Sequence, residues 1–148
     1  MRIIFVLIIF LNPLALAEDL NNNFIYITSN ELIVTDNPLV SEFRGNVYVR
    51  DIEKQIWSEK IILEYDADNK IKLITAIGNV KIIQAKEEAT GEFALYEPQL
   101  DKIKMIGNVL LRKEGNTLNG DELTIDLINS NSTMKSHMKN QVSVKIIK

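Results

Sequence analysis

Few side chains in this 148-residue chain could carry chemistry, and none of them comes as a recognisable set. Histidine occurs once, as His137, and cysteine is absent, which removes thiolate nucleophiles, disulfides, cysteine-based metal sites and histidine clusters together. Glu59, Glu64, Asp121 and Glu122 could in principle do paired acid–base work, but the alternation of their segments puts them at outward or turn positions. Asp66, Asp68 and Asn69 offer oxygen ligands, yet the run lacks the sixth-position glycine and twelfth-position glutamate of a calcium loop and reads as a polar turn. Asn131-Ser132-Thr133 fits a glycosylation acceptor and is read the same way. His137 is expected at an exposed loop or strand end, and Trp57 over a strand face. The sequence therefore implies no enzyme, no cofactor and no metal. What is left is a glycine pattern: Gly-Asn-Val at Gly45–Val47, Gly78–Val80 and Gly107–Val109, offset by 33 and 29 residues. No glycine cluster leads into a helix and no Lys-Ser or Lys-Thr follows, which disfavours a phosphate-cradling loop against a structural bend. A glycine inside a strand marks a bulge or bend, and three at matching places would curve one sheet around its apolar face.

The elements that must carry this pattern are strands. Apolar residues recur every second position, and helical i, i+3, i+4 spacing is missing over any useful length. Phe43, Val47 and Val49 share a face against Arg44, Asn46 and Arg50; Ile61, Leu63 and Tyr65 lie opposite Lys60, Glu64 and Asp66, with Ile62 out of step; Leu123, Ile125 and Leu127 lie opposite Glu122, Thr124 and Asp126. A second recurring segment begins at Ser29, Ser58, Thr90 and Gly120, with apolar anchors Leu32, Ile61, Phe93 and Leu123 spaced 29, 32 and 30 residues apart. A period near thirty residues made of short strands predicts stacked or coiled sheet layers whose units bury their faces against neighbours. Turn chemistry at Asp36-Asn37-Pro38, Asp66-Ala67-Asp68-Asn69, Glu97-Pro98 and Asn129-Ser130-Asn131-Ser132 punctuates the strands. The expected inward set is Leu32, Val34, Phe43, Val47, Val49, Ile61, Leu63, Tyr65, Val80, Ile82, Phe93, Leu95, Met105, Val109, Leu111, Leu123, Ile125 and Leu127.

Met1 to Ala17 reads as a secretory signal: Arg2, an apolar run from Ile3 to Leu11, then Ala15 and Ala17 two apart. The run is shorter than the ~20 residues a membrane-spanning helix needs, and Glu18 and Asp19 follow at once. The expected organisation is a signal peptide over 1–17, cleaved after Ala17, and one domain over 18–148; retention of the segment as an anchor is the alternative. Without Arg2, 16 basic residues face 20 acidic ones, a formal charge of −4, so the driving term for nucleic-acid binding is missing. A hydrophobic fraction of 46% places the domain among folded globular chains, and with no disulfide it must be held by its own sheet.

Phe43-Arg44-Gly45-Asn46-Val47-Tyr48-Val49, Met105-Ile106-Gly107-Asn108-Val109-Leu110-Leu111, and Leu118 to Ile125 followed by Met134-Lys135-Ser136 together carry a likeness to a known family. From Ile27 to Ile147 the chain resembles the OstA-like periplasmic lipopolysaccharide-transport proteins, and within them the bridge branch of LptA type. The resemblance implies an all-β, curved, open jelly-roll of antiparallel strands, periplasmic, with an apolar groove for the acyl chains of lipopolysaccharide. It also implies partners: an LptC-like inner-membrane component, an LptD-like outer-membrane component, and further copies joined head to tail. The Ala15-Leu16-Ala17 site favours the bridge branch over its membrane-anchored, LptC-like relative.

The physics agrees with such a role. Each methylene exposed to water costs ~0.8 kcal/mol, about 10 kcal/mol for a twelve-carbon chain, so a carrier must cover chains continuously. The inward set above is the expected groove; the other arrangement the pattern allows is a closed core in which those residues touch only one another. Unpaired strands are expected near Phe24–Thr28 and Gln141–Ile147, where edges invite strand addition by a neighbour. Lys145 and Lys148 fit either such pairing or plain protection of a solvated edge. A self-assembling envelope protein that uses the edges without cargo is the competing function.

Overall fold

The computed structural model describes residues 24–137 and 140–147; the expected signal segment and its cleavage site lie outside the described residues. The described residues form ten β-strands and no helix: β1 (Tyr26–Thr28), β2 (Glu31–Thr35), β3 (Val40–Arg50), β4 (Lys54–Tyr65), β5 (Ile71–Gln84), β6 (Glu87–Glu97), β7 (Lys102–Lys113), β8 (Asn116–Asp126), β9 (Asn131–Lys135) and β10 (Ser143–Lys145). All pairings are antiparallel, and β3 to β8 follow one another as a meander. Each outer position is shared by two short strands. β1 pairs with the end of β3 and β2 with its beginning, while β9 and β10 divide β8 in the same way. The short strands break in line with the register shifts between the long ones.

That break is a line crossing the whole sheet. Residues 45–46 of β3, 78–79 of β5 and 107–108 of β7 interrupt the register with both neighbours. In each pair glycine and asparagine both have positive φ, Gly107 at 86° and Asn108 at 46°, for example. Glycine reaches that region freely, and asparagine is the side chain that best tolerates it. The extra residue bends the strand, and the bends align into a crease. The crease divides the sheet into one leaf holding β1, β10 and the 47–58, 80–91 and 109–120 segments, and a second leaf holding β2, β9 and the remainder.

The leaves close on each other through their apolar faces. One row of directly paired residues on the second leaf runs Leu32, Phe43, Ile61, Ala76, Ala94, Met105, Leu123 and Met134. On the first leaf the corresponding row runs Ile27, Val49, Ile56, Ile82, Ala89, Leu111, Leu118 and Val144. Their buried members, with Val47, Val80, Val109 and Ile103, form a single core cluster drawn from both leaves. Full burial of each larger aliphatic side chain stabilises by about 1.5–3 kcal/mol.

Candidate functional site

Among the described residues, the interior between the leaves gathers most of the expected inward residues. Val47, Val49, Ile61, Leu63, Val80, Ile82, Met105, Val109, Leu111 and Leu123 are buried there, and Phe43, Tyr65, Ile125 and Leu127 pack against them. Leu32 and Val34 belong to the same face by register but sit on β2 at the open edge, 53% and 56% exposed. Phe93 and Leu95 are a correction. Phe93 pairs with Ile77 and Ile106, and Leu95 with Thr75 and Lys104, on the outer face, while Ala94 and Tyr96 turn inward. The recurring segment of β6 begins at Gly91, not Thr90, which makes the anchors Leu32, Ile61, Ala94 and Leu123. A one-residue slip transfers every side chain to the opposite face. The larger side chain at 93 masked the slip, because an anchor was expected to be bulky.

Other inward residues were not foreseen. Ile56, Ile74, Ala76, Ala89 and Ile103 are buried in the same cluster. The signal for them lay in the neighbouring strands: Ile56 faces Val49 and Ile74 faces Leu63 in the register. The turn reading at Asn131-Ser132 is also corrected, since β9 starts at Asn131 and pairs through Ser132 with Ile125.

The centre of the interior is filled by the chain itself: Ile61, Ile103, Met105, Leu123, Val47, Val80 and Val109 are each less than 2% exposed. A continuous open trough is therefore not what this conformation contains. Space opens at the margin opposite the crease, where hairpin tips of the two leaves approach. There a cavity of ≈ 500 Å³ is walled by Ile82, Ala89, Ile103, Leu111, Ile125 and Leu127 and rimmed by Glu53, Glu87, Asp101, Asp126 and Lys113. Beside it Lys54, only 8% exposed, lays its ammonium 5.2 Å over the Tyr96 ring of the other leaf, with Asp51 at 3.9 Å and Glu53 at 3.8 Å. Tyr96 donates its hydroxyl hydrogen to Asp101 at 3.0 Å, and burial with that carboxylate pushes its phenol above the ordinary tyrosine range.

The crease carries the polar counterpart of this apolar interior. Glu59 and Glu92 each reach the Gly-Asn pair of the following strand, accepting from Asn79 Nδ2 at 2.5 Å and Asn108 Nδ2 at 2.6 Å. Asp121 accepts the backbone amide of His137 at 2.7 Å, which holds its carboxyl below the usual range. His137 is exposed beside the end of β9, its Nε2 3.5 Å from Glu122. Trp57 lies on the outer face against Tyr48, ring centroids 5.1 Å apart, under Lys81. Among the described residues no three histidine or carboxylate side chains converge as a metal site.

Both edges leave inward-facing apolar residues uncovered. Val144, opposite Leu118, is 54% exposed and Ile146 69%, matching Leu32 and Val34 at the other end. The apolar rows thus run from one open edge to the other without a charged residue interrupting them.

A single antiparallel sheet creased lengthwise, closed on an apolar interior and open at two edges, is an open β-jelly-roll. The model of the family described as LptA/(LptD N-terminal domain) LPS transport protein matches residues 26–131, and the chain belongs to that family, a transport family and not an enzyme family. Its fold is similar to the crystal structure of LptH, described as the LptA homologous periplasmic component of the conserved lipopolysaccharide transport device from Pseudomonas aeruginosa. That likeness has a TM-score of 0.77 over 84% of this chain and 95% of the other, at 17% sequence identity. No curated protein matches by sequence.

Proposed function

We propose that this member of the lipopolysaccharide-transport family is an exported periplasmic bridge, which covers lipid acyl chains between its leaves and hands them along to partners paired at its two edges. The observation that carries the reading is the uninterrupted apolar row on each leaf, which leaves one exposed apolar end at each edge of the sheet, Leu32 at one and Val144 at the other, while Met134 and Ile27 at the opposite ends pack against the core. A core that needed only to be closed would finish its edges with polar residues, because uncovered apolar edges risk aggregation. Here the apolar face continues to the last strand at either end. Lipid enters where the margin already gapes, beside Ile125 and Leu127, and separates leaves that are joined along the crease.

The edges supply the connections. β1 and β2 on one side and β9 and β10 on the other present unpaired backbone groups, so strand addition by an LptC-like component, an LptD-like component or another copy prolongs the sheet and its apolar interior together. Export by the segment 1–17 with cleavage after Ala17 completes the reading.

A photoreactive residue at Val47, Leu63 or Ile125 should crosslink to labelled lipopolysaccharide, strongest at Ile125, while outward Asn46 and Glu64 stay dark. Equal labelling inside and outside rejects the carrier. The filled centre favours one other reading, a self-assembling envelope protein without cargo, which predicts edge-to-edge crosslinks but none to lipid. Trimming Gln141 to Lys148 should abolish end-to-end association and leave the fold, and unchanged association would reject docking at that edge.

A further inference from the structure

The marginal cavity is lopsided in charge. Glu53, Glu87, Asp101 and Asp126 stand around it against one lining ammonium, Lys113, which is committed to Glu87 at 2.5 Å. Lys54 stands behind Glu53 and is held between two carboxylates and the Tyr96 ring, so it offsets that one position and does not line the opening. Asp101 and Asp126 have no ion-pair partner within 4 Å among the described residues; Lys102, opposite Asp126 in the register, helps to hold that carboxyl low but does not line the opening. Asp126 is instead bonded by the backbone and side-chain amides of Asn129 at 3.0 and 2.8 Å, both of which favour its ionised form. Behind this acidic rim the wall is aliphatic, and ≈ 500 Å³ lies within the roughly 300–1,000 Å³ typical of small-molecule sites.

Such a rim does not treat all amphiphiles alike. Field lines focus in a cleft with low-dielectric walls, so a negative rim attracts a cation and opposes an anion more strongly than the same charges would on a flat surface. We propose that this mouth sorts amphiphiles by headgroup, admitting a single alkyl or acyl chain that ends in a cation and turning away the same chain ending in a phosphate. The inference rests on the reading that the interior takes acyl chains and adds a polarity to it. An anionic lipid enters the interior with its phosphates directed away from this margin, so its tails and not its charged end meet Glu53, Asp101 and Asp126.

The test titrates the full chain with dodecyltrimethylammonium, dodecyl maltoside and dodecyl phosphate, all below their micelle-forming concentrations, following the methyl resonances of Ala89 and Leu111. At low ionic strength the ammonium should bind at least about tenfold tighter than the phosphate, with the maltoside between them. The gap should narrow to about threefold in 0.5 M salt, and also in the double variant Glu53→Gln, Asp101→Asn, where asparagine keeps an acceptor for the Tyr96 hydroxyl. Should that variant fail to fold, the salt series on the native chain decides alone. Equal affinity for the three probes, or tighter binding of the phosphate, overturns charge sorting while leaving the acyl-chain reading standing. Absence of binding by all three overturns both.

Discussion

Glu92 and Gly107 are locked together across the crease: a Cβ built on Gly107 would stand 2.6 Å from Glu92 Oε2, while the other carboxylate oxygen accepts from Asn108 at 2.6 Å. The carboxylate occupies the room that the glycine leaves. Glu59 does the same over Gly78 and Asn79, and the amide of Asn30 over Gly45. The recurring Gly-Asn is thus half of a two-strand device whose other half is the polar residue opposite.

Gly107→Ala should therefore lose about 1–3 kcal/mol in urea unfolding, since alanine pays for a left-handed φ and displaces Glu92. Adding Glu92→Ala should recover part of the loss by clearing the space, while the backbone cost persists. Gly91→Ala is the control: its φ is not positive and its nearest neighbours lie at 3.4 Å, so the change should cost less than about 1 kcal/mol. Equal losses at 91 and 107 would refute the crease as the strained element.

The face assignment of β6 is testable by substitution of adjacent residues. Ala94→Leu overfills a site that is 4% exposed and should destabilise by about 1–3 kcal/mol. Phe93→Thr, next to it on the outer face, should cost clearly less, while Leu123→Ala on the inward row should cost about 2–5 kcal/mol. If Phe93→Thr proves the most damaging of the three, the register is misplaced by one.

Tyr96 should ionise late on alkaline titration. Burial and the adjacent Asp101 carboxylate both raise its phenol, so an alkaline absorbance titration of the folded chain should show a late component above the ordinary phenol range near pH 10. Tyr96→Phe should remove that late component, and its persistence would mean another ring is responsible. Lys54→Met should weaken closure of the margin by about 1 kcal/mol through loss of the cation–π contact.

Acid should unfold the protein through its turns and crease. Asp66 is held down by the Lys70 amide, Asp121 by the His137 amide, Asp126 by the Asn129 amide, Glu42 by Arg44 and Glu122 by Lys104. Each folded-state value lies below the unfolded one, so the unfolded chain binds more protons at acid pH. Stability from these groups is complete above the ordinary carboxylate range and lost as pH falls through it. Urea midpoints should hold from pH 7 to about 5 and drop between about 4 and 2. Asp66→Asn should flatten that decline, and a midpoint that rises on acidification would contradict it.

Strand content, open sheet and apolar face were legible because period-two alternation survives in β3, β7 and β8, where each half-strand is long enough to show it. The bulges were legible as glycines, but their effect on parity was not. Crossing Glu59 shifts the inward positions of β4 from Ile56 and Ser58 to Ile61 and Leu63, so continuous counting fails there. The same shift in β6 sent Phe93 and Leu95 to the wrong face. Splitting of each edge into two short strands was hidden as well, because segments of three to five residues are too short to show a period and owe their pairing to β3 and β8. The acidic rim was invisible in the chain, since Glu53, Asp101 and Asp126 come from three separate hairpins and meet only when the leaves fold.

From β3 to β8 the sheet is a plain meander. Strands β4 to β7 each bond only to their predecessor and successor in the chain, and each link between them is a hairpin. Inserting one further hairpin of the same kind would lengthen the barrel-like body by about 9.5 Å without rerouting a single loop. The reach of such a protein is thus set by counting hairpins, and duplication of a thirty-residue stretch of gene is sufficient to change it.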